Sequence, residues 1–212
     1  MNLTVNEIFY SIQGESLSAG LACVFVRLAG CNLACHYCDT DYAKTEGSLM
    51  PLDRIIQRVK AYNCNRVAIT GGEPLLQAHT PILVNRLLEL DFRVLMETNG
   101  SLDIARITPA CTRIVDIKCP GSGMAAHNHM ANIHHLHAGD QVKFVITDRA
   151  DYEFARATMP AIKTIPPGNV LFSPAYGMLS SAELAEWMLG DNLTVRLHLQ
   201  LHKTIWGEAR GR

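Results

Sequence analysis

The stretch Cys23-Val24-Phe25-Val26-Arg27-Leu28-Ala29-Gly30-Cys31-Asn32-Leu33-Ala34-Cys35-His36-Tyr37-Cys38-Asp39-Thr40 decides the fold. Its first part, Cys23–Leu28, is a run of apolar and β-branched residues broken only by Arg27, which reads as a buried strand. Alternation along a strand puts Val24, Val26 and Leu28 on the face opposite Arg27. The cysteine-rich loop follows, and after it Leu52–Tyr62 places Leu52, Ile55, Ile56 and Val59 on one helical face, with Pro51 at the start. The same order then recurs. Further strands are predicted at Arg66–Thr70, Arg93–Glu97, Ile114–Lys118, Gln141–Thr147, Asn169–Phe172 and Leu193–Leu201. Further helices are predicted at Pro81–Leu90, Asp151–Thr158 and Ser181–Leu189, the last with Glu183 in its first turn and Gly190 after its end. Such alternation demands right-handed crossovers and a mostly parallel sheet. Six or seven strands predict an α/β fold of the partial, open (β/α) barrel type, since the complete eight-stranded form takes about 250 residues. A flat doubly wound sheet is the competing architecture. Neither a linker nor an internal repeat is visible, so residues 1–212 are expected to form a single domain.

Composition narrows the function classes. The chain has 19 Lys+Arg against 20 Asp+Glu, a formal net charge of −1, which gives no basic footprint for nucleic acid and no polybasic stretch for a membrane surface. No apolar run approaches the roughly 20 residues of a spanning helix. The first residues, Met1 to Glu7, lack a cationic region followed by an apolar one, so no signal peptide is expected. The expectation is a soluble cytoplasmic protein that contacts neither nucleic acid nor membrane.

The chain has seven cysteines, an odd number that argues against a disulfide framework. Cys23, Cys64 and Cys111 read as buried small hydrophobes, and Cys119 stands apart from any cluster. Cys31, Cys35 and Cys38 are different: three thiolates from one loop favour a soft metal centre, zinc or iron–sulfur. Structural zinc closes with four ligands, usually as two short-spaced pairs; no second pair exists here, and His36, the nearby fourth donor, lies inside the loop. A four-iron cube held by three thiolates leaves one iron free to bind a small molecule. On the strand assignment above, this loop lies at the C-terminal end of the first strand. Gly71-Gly72-Glu73-Pro74, Thr98-Asn99-Gly100 and Cys119-Pro120-Gly121 follow the next three, which is where (β/α) barrels gather their chemistry.

The C-x3-C-x2-C spacing, with Tyr37 before the last cysteine, resembles the signature of the radical S-adenosylmethionine (radical SAM) superfamily, and Thr70-Gly71-Gly72-Glu73-Pro74 resembles its glycine-rich element after the second strand. Within the superfamily, several segments are similar to the 7-carboxy-7-deazaguanine synthase family. They are Glu7–Ser16, Val24–Leu28, Asp39-Thr40, Glu97-Thr98-Asn99-Gly100, Val142–Ile146 and Leu199–Trp206, so the resemblance covers nearly the whole chain. It implies a [4Fe–4S] cluster on Cys31, Cys35 and Cys38, with SAM chelated at the open iron and cleaved on one-electron reduction. The implied reaction is a radical ring contraction of 6-carboxy-5,6,7,8-tetrahydropterin to 7-carboxy-7-deazaguanine, with loss of ammonia, regeneration of SAM and assistance from Mg²⁺.

The resemblance also distributes roles. SAM contacts fall to Tyr37, Cys38, Asp39, Gly72, Asp116, Ile117, Lys118 and Ser173, with Tyr37 as a stacking face. The carboxypterin falls to Ile12, Gln13, Gly14, Glu15, Arg27 and Thr70, and Glu97 is a further contact. Arg27 would clamp the substrate carboxylate with its planar fork. Thr40 would supply a hard oxygen to Mg²⁺, and Glu73 would shape its turn. No residue is assigned as a catalytic acid or base. A reductant such as flavodoxin or ferredoxin and a homodimeric state are implied as well. His127 to His137, the histidine-rich stretch, is expected to be a solvated loop and helix. His202 either reaches substrate or packs on Trp206, and the terminal residues lack the proline of some relatives. Two alternatives share the loop: a glycyl-radical activating enzyme, and a non-catalytic zinc or iron–sulfur module.

Overall fold

The computed structural model describes all 212 residues. Nine strands form one sheet, β1 (Asn2–Ile12), β2 (Ala22–Leu28), β3 (Ser48–Pro51), β4 (Arg66–Gly71), β5 (Arg93–Thr98), β6 (Thr112–Asp116), β7 (Gln141–Ile146), β8 (Val170–Pro174) and β9 (Arg196–Leu197). Their order is β3-β1-β2-β4-β5-β6-β7-β8-β9. From β2 through β9 every pairing is parallel, whereas β1 pairs antiparallel with both β2 and β3. The two edges, β3 and β9, do not pair, so the barrel stays open. The helices α1 (Leu52–Lys60), α2 (Thr80–Glu89), α3 (Arg149–Thr158), α4 (Ser181–Gly190) and α5 (Leu201–Trp206) complete the chain.

Alternation along the strands separates two interiors. Val24, Val26 and Leu28, with Val67, Ile69, Val94, Met96, Val142 and Phe144, face outward and bury themselves against Ile55, Val59, Leu83, Leu87 and the other helical apolar residues. This helix-facing layer is the main core, where burial of each large side chain contributes about 1.5–3 kcal/mol. The other face is the barrel interior. There Cys23, Phe25, Ala68, Leu95 and Ile114 form a small separate cluster, closed at one side by Phe9. The Phe9 and Phe25 rings stack at 4.9 Å.

Two strands, β1 and β3, extend the predicted parallel set. β1 carries an irregularity between Val5 and Glu7, which breaks the alternation a strand reading needs, and β3 is a four-residue edge. Asn132 is the only buried residue of the short 3-10 turns at Met130–His135, and His127, His129, His134, His135 and His137 are all exposed; the stretch is solvated but has no α-helix. The strand expected over Leu193–Leu201 shrinks to Arg196–Leu197, and Leu201 already opens α5. At the open edge no further strand waits to pair, and the chain turns back across the barrel mouth instead.

Candidate functional site

One polar residue per strand stands above the apolar cluster. Arg27 lies one dyad beyond Phe25 on β2, Thr70 beyond Ala68 on β4, Glu97 beyond Leu95 on β5 and Asp116 beyond Ile114 on β6. Register pairs Arg27 with Thr70 and Asp116 with Lys143 of β7, and Val145 with Ser173 of β8. These side chains, together with the cysteine loop and the glycine turn after β4, line a cavity of about 320 Å³. All three thiols, Tyr37, Asp39, Thr40, Gly72, Lys118, Ile12, Gln13, Gly14 and Glu15 share it. Ile117 is the exception among the residues expected to meet a ligand. Its side chain points into the helix-facing core, because just past β6 it continues the outward parity of Val115, so any part it takes in the cavity falls to its backbone. His36 is absent from the lining; its ring lies against Gly123 instead, where a Cβ would come within 2.8 Å of it.

On the N-terminal side, Arg27 Nε donates to Glu7 Oε1 at 2.8 Å, and the Tyr42 hydroxyl donates to the same oxygen at 3.1 Å. The guanidinium lies over Phe9 and Tyr42 at 5.7 and 6.0 Å. Its remaining fork nitrogens are uncommitted at the cavity wall, which suits a planar anion. Glu97 accepts from Gln13 Nε2 and Thr70 Oγ1, each at 3.2 Å. Glu15 accepts from Lys143 Nζ at 2.7 Å and Gln200 Nε2 at 2.9 Å. Burial alone would raise the Glu15 carboxyl, but Lys143, His198 and the two hydrogen bonds outweigh it and hold the group well below the usual carboxylate range. Glu97 goes the other way, pushed up by burial and by the charge of Glu15.

On the opposite side, Lys118 Nζ contacts Asp116 Oδ2 at 2.8 Å, and its ammonium lies 5.9 Å from the Tyr37 ring. Burial would lower Lys118, but Asp116 raises it above its ordinary value. Asp116 Oδ1 and the Tyr37 hydroxyl are buried with no hydrogen-bond partner. A buried acceptor without a donor is costly, and ligand hydroxyls reaching Asp116 would satisfy it. Ser173, 3% exposed, completes this wall.

The loop and the turn brace each other. A Cβ on Gly72 would overlap the Gly30 carbonyl oxygen and stand 2.8 Å from the Cβ of Cys31, so only glycine allows this approach. Glu73 N donates to Gly30 O at 2.8 Å. The Glu73 carboxylate is fully buried and accepts from Leu75 N, Thr98 Oγ1 and Asn99 N at 2.7–3.0 Å. It holds the turn after β4, the role the resemblance implied, and beyond that expectation ties the turn to the end of β5. Asn99 in turn donates toward Cys31 Sγ at 3.7 Å, and Leu33 N does so at 3.5 Å.

Nowhere do three His, Cys, Asp or Glu side chains converge tightly enough to hold a single ion. The three loop thiols all line the cavity, and in a four-iron cube each thiolate binds a separate iron. Three thiols on one cavity-lining loop, with backbone and amide donors directed at Cys31 sulfur, fit a [4Fe–4S] group on Cys31, Cys35 and Cys38. Burial pushes the Cys35 thiol up, a shift that iron coordination would reverse. Thr40 Oγ1 donates to Asp39 Oδ1 at 2.9 Å, beside the same loop.

The C-terminal segment closes the mouth. Gln200 reaches Glu15, and Leu201 N donates to Gly14 O at 2.9 Å. His202 lines the cavity and presses against Gly14, where any Cβ would collide with its ring. Burial lowers both His198 and His202 below the ordinary imidazole value. Lys203 Nζ lies 3.1 Å from Glu208 and 3.8 Å from Asp39. Lys143, Asn99 and Gln200 had no assigned role in the sequence reading; the lone cation in the apolar run Val142–Ile146 was the available signal for the first.

Comparison with known proteins finds relatives along the whole chain. The Radical SAM superfamily model matches residues 26–115. The chain is 46% identical over 213 aligned residues to the 7-carboxy-7-deazaguanine synthase of Chlorobaculum tepidum, covering 99% of this chain and 97% of that one. It is 41% identical to the 7-carboxy-7-deazaguanine synthase of Koribacter versatilis, covering 96% and 97%. Among solved structures, the crystal structure of QueE from Escherichia coli superposes with a TM-score of 0.77 at 22% identity, covering 95% of both chains, a likeness of fold.

Proposed function

The chain belongs to the 7-carboxy-7-deazaguanine synthase family of radical SAM enzymes, and from that membership we propose how its cavity converts 6-carboxy-5,6,7,8-tetrahydropterin to 7-carboxy-7-deazaguanine with loss of ammonia. The observation that carries the proposal is the shared cavity: thiol loop, glycine turn and polar layer line one space of about 320 Å³, closed by α5. SAM bound to a [4Fe–4S] cluster supplies, on one-electron reduction, the radical that starts the rearrangement. The protein's own part is positioning. Cys31, Cys35 and Cys38 hold the cluster; Gly72 lets the methionyl end approach the backbone; Asp116 and Lys118 meet the ribose and carboxylate, with Tyr37, Asp39 and Ser173 at the adenosyl end. Arg27 clamps the pterin carboxylate, Glu15 accepts from its amino edge, and Gln13, Gly14, Thr70 and Ile12 frame the ring. Thr40, beside Asp39, would offer its hydroxyl to a Mg²⁺, which would supply positive charge for the substrate carboxylate. A reductant such as flavodoxin or ferredoxin, a cytoplasmic setting and a homodimer belong to the same reading, without direct contact to nucleic acid.

The test is anaerobic incubation of reconstituted protein with SAM, reductant, carboxypterin and Mg²⁺, followed by product identification. 7-Carboxy-7-deazaguanine is expected, with turnover falling severalfold or more on chelation of Mg²⁺ and in Thr40→Val, since misplacement by about an ångström costs roughly a hundredfold. SAM cleavage without that product would contradict the substrate assignment. Turnover unchanged by chelation would contradict the Mg²⁺ site.

A further inference from the structure

Lys143 is a single cation set among carboxylates at the centre of the cavity wall. Its Nζ lies 2.7 Å from Glu15 Oε2 and 3.8 Å from Asp116 Oδ2. Its side chain is 13% exposed, and Glu97 also acts on it. The two neighbours differ in what else they have. Asp116 keeps a closer partner, Lys118 at 2.8 Å. Glu15 has no second cation in contact, only the Gln200 amide at 2.9 Å, and it faces the charge of Glu97. Removing Lys143 would therefore leave Asp116 paired and Glu15 stranded.

We infer that Lys143 is the positioning residue for substrate recognition: it fixes the Glu15 carboxylate as the acceptor for the amino edge of the pterin. The inference rests on the proposed function and adds to it a residue that contributes through Glu15 rather than through the SAM side. An ammonium at salt-bridge distance orients one oxygen of Glu15 and leaves the other to Gln200 and ligand. It also keeps Glu15 ionised against burial and against Glu97. The other titratable groups around Glu15 are His198, after β9, and His202 on α5, both lowered by burial; neither ring makes a salt bridge to Glu15, whose ion-pair partner is Lys143.

The experiment compares wild type with Lys143→Met and Lys143→Arg as cluster-loaded proteins. Truncating one partner of a buried hydrogen-bonded charge pair predicts a KM for carboxypterin about thirtyfold higher or more in Lys143→Met. SAM affinity, read from the change that SAM causes in the spectrum of the reduced cluster, should change little. A wild-type Glu15 is ionised throughout the working range, so its kcat/KM shows no acid limb from this group. Without the ammonium its pKa rises, and kcat/KM in Lys143→Met should climb with pH across the neutral range. Lys143→Arg, which keeps the cation, should retain the wild-type pH profile. Should Lys143→Met fail to load, Glu15→Gln combined with Lys143→Met buries no lone charge and carries the test. Its KM should match that of Glu15→Gln alone, the non-additivity expected of one interacting pair. A KM and pH profile unchanged in folded Lys143→Met, an equal loss of SAM affinity, or full additivity in the double variant would overturn the inference. Absence of 7-carboxy-7-deazaguanine with the wild type would instead overturn the function on which it rests.

Discussion

Glu73 is a carboxylate with no solvent exposure, and its position is explained by its donors. Leu75 N, Asn99 N and the Thr98 hydroxyl all point at its two oxygens, while burial pushes its pKa up. Glu73→Gln keeps the volume but turns an NH₂ toward those donors. Leaving such groups unsatisfied costs about 1–3 kcal/mol, so anaerobic thermal unfolding should show a clear fall in Tm. Iron content should fall with it, because Asn99 loses the anchor that aims it at Cys31. An unchanged Tm with full iron would contradict the bracing role. Residues of this kind were legible because their neighbours in sequence carried the signal, as Gly71-Gly72 did for Glu73. Arg27 was legible for a different reason: it is a lone charge in an apolar strand, costly unless it is paired. Lys143 stands in the same setting on β7. Its partners come from residues 15 and 116, and no local pattern announces a pairing across such separations.

Six of the seven parallel strands and all four longer helices fall within a few residues of where periodicity put them, because each buries one regular face against the other. The elements that escaped are those whose form depends on something distant. β1 alternates irregularly, yet antiparallel pairing with β2 runs from Val5 to Ile12. α5 has no buried residue of its own; it exists where it does because Leu201, Gln200 and His202 engage Gly14 and Glu15. That dependence can be measured. In Gly14→Ala the new Cβ occupies the space of the His202 ring, and α5 must move. Hydrogen exchange over Leu201–Trp206 should accelerate by about tenfold or more, local opening of a weakly packed element, while β1 and the cluster stay as in the wild type. Unaltered protection of α5 would show that the contact does not hold the segment.

Across the whole molecule, one sheet supplies both the core and the chemistry by presenting opposite faces of the same strands. The outward face is mostly apolar, with Arg113, buried in an ion pair with Asp140, and Thr98, bonded to Glu73, as its polar exceptions. The inward face changes character along each strand, from Phe25, Ala68, Leu95 and Ile114 to Arg27, Thr70, Glu97 and Asp116. The open edge lets the C-terminal segment return over the mouth. Cys31, Cys35 and Cys38 are then the only cysteines at this mouth, since Cys23, Cys111 and Cys119 are fully buried elsewhere, and Cys64 is not part of the lining. Cys119 comes nearest in sequence to the Asp116–Lys118 wall but belongs to the helix-facing core, where burial raises its thiol strongly. The most direct test is iron and sulfide content with product yield, measured anaerobically on the wild type and on single Cys→Ala variants. The expected result is a full [4Fe–4S] complement and wild-type yield in Cys119→Ala, and loss of both in Cys31→Ala, Cys35→Ala and Cys38→Ala. Loss of the cluster in Cys119→Ala, or its retention with activity in any of the three loop variants, would contradict the assignment of the thiol loop as the whole ligand set.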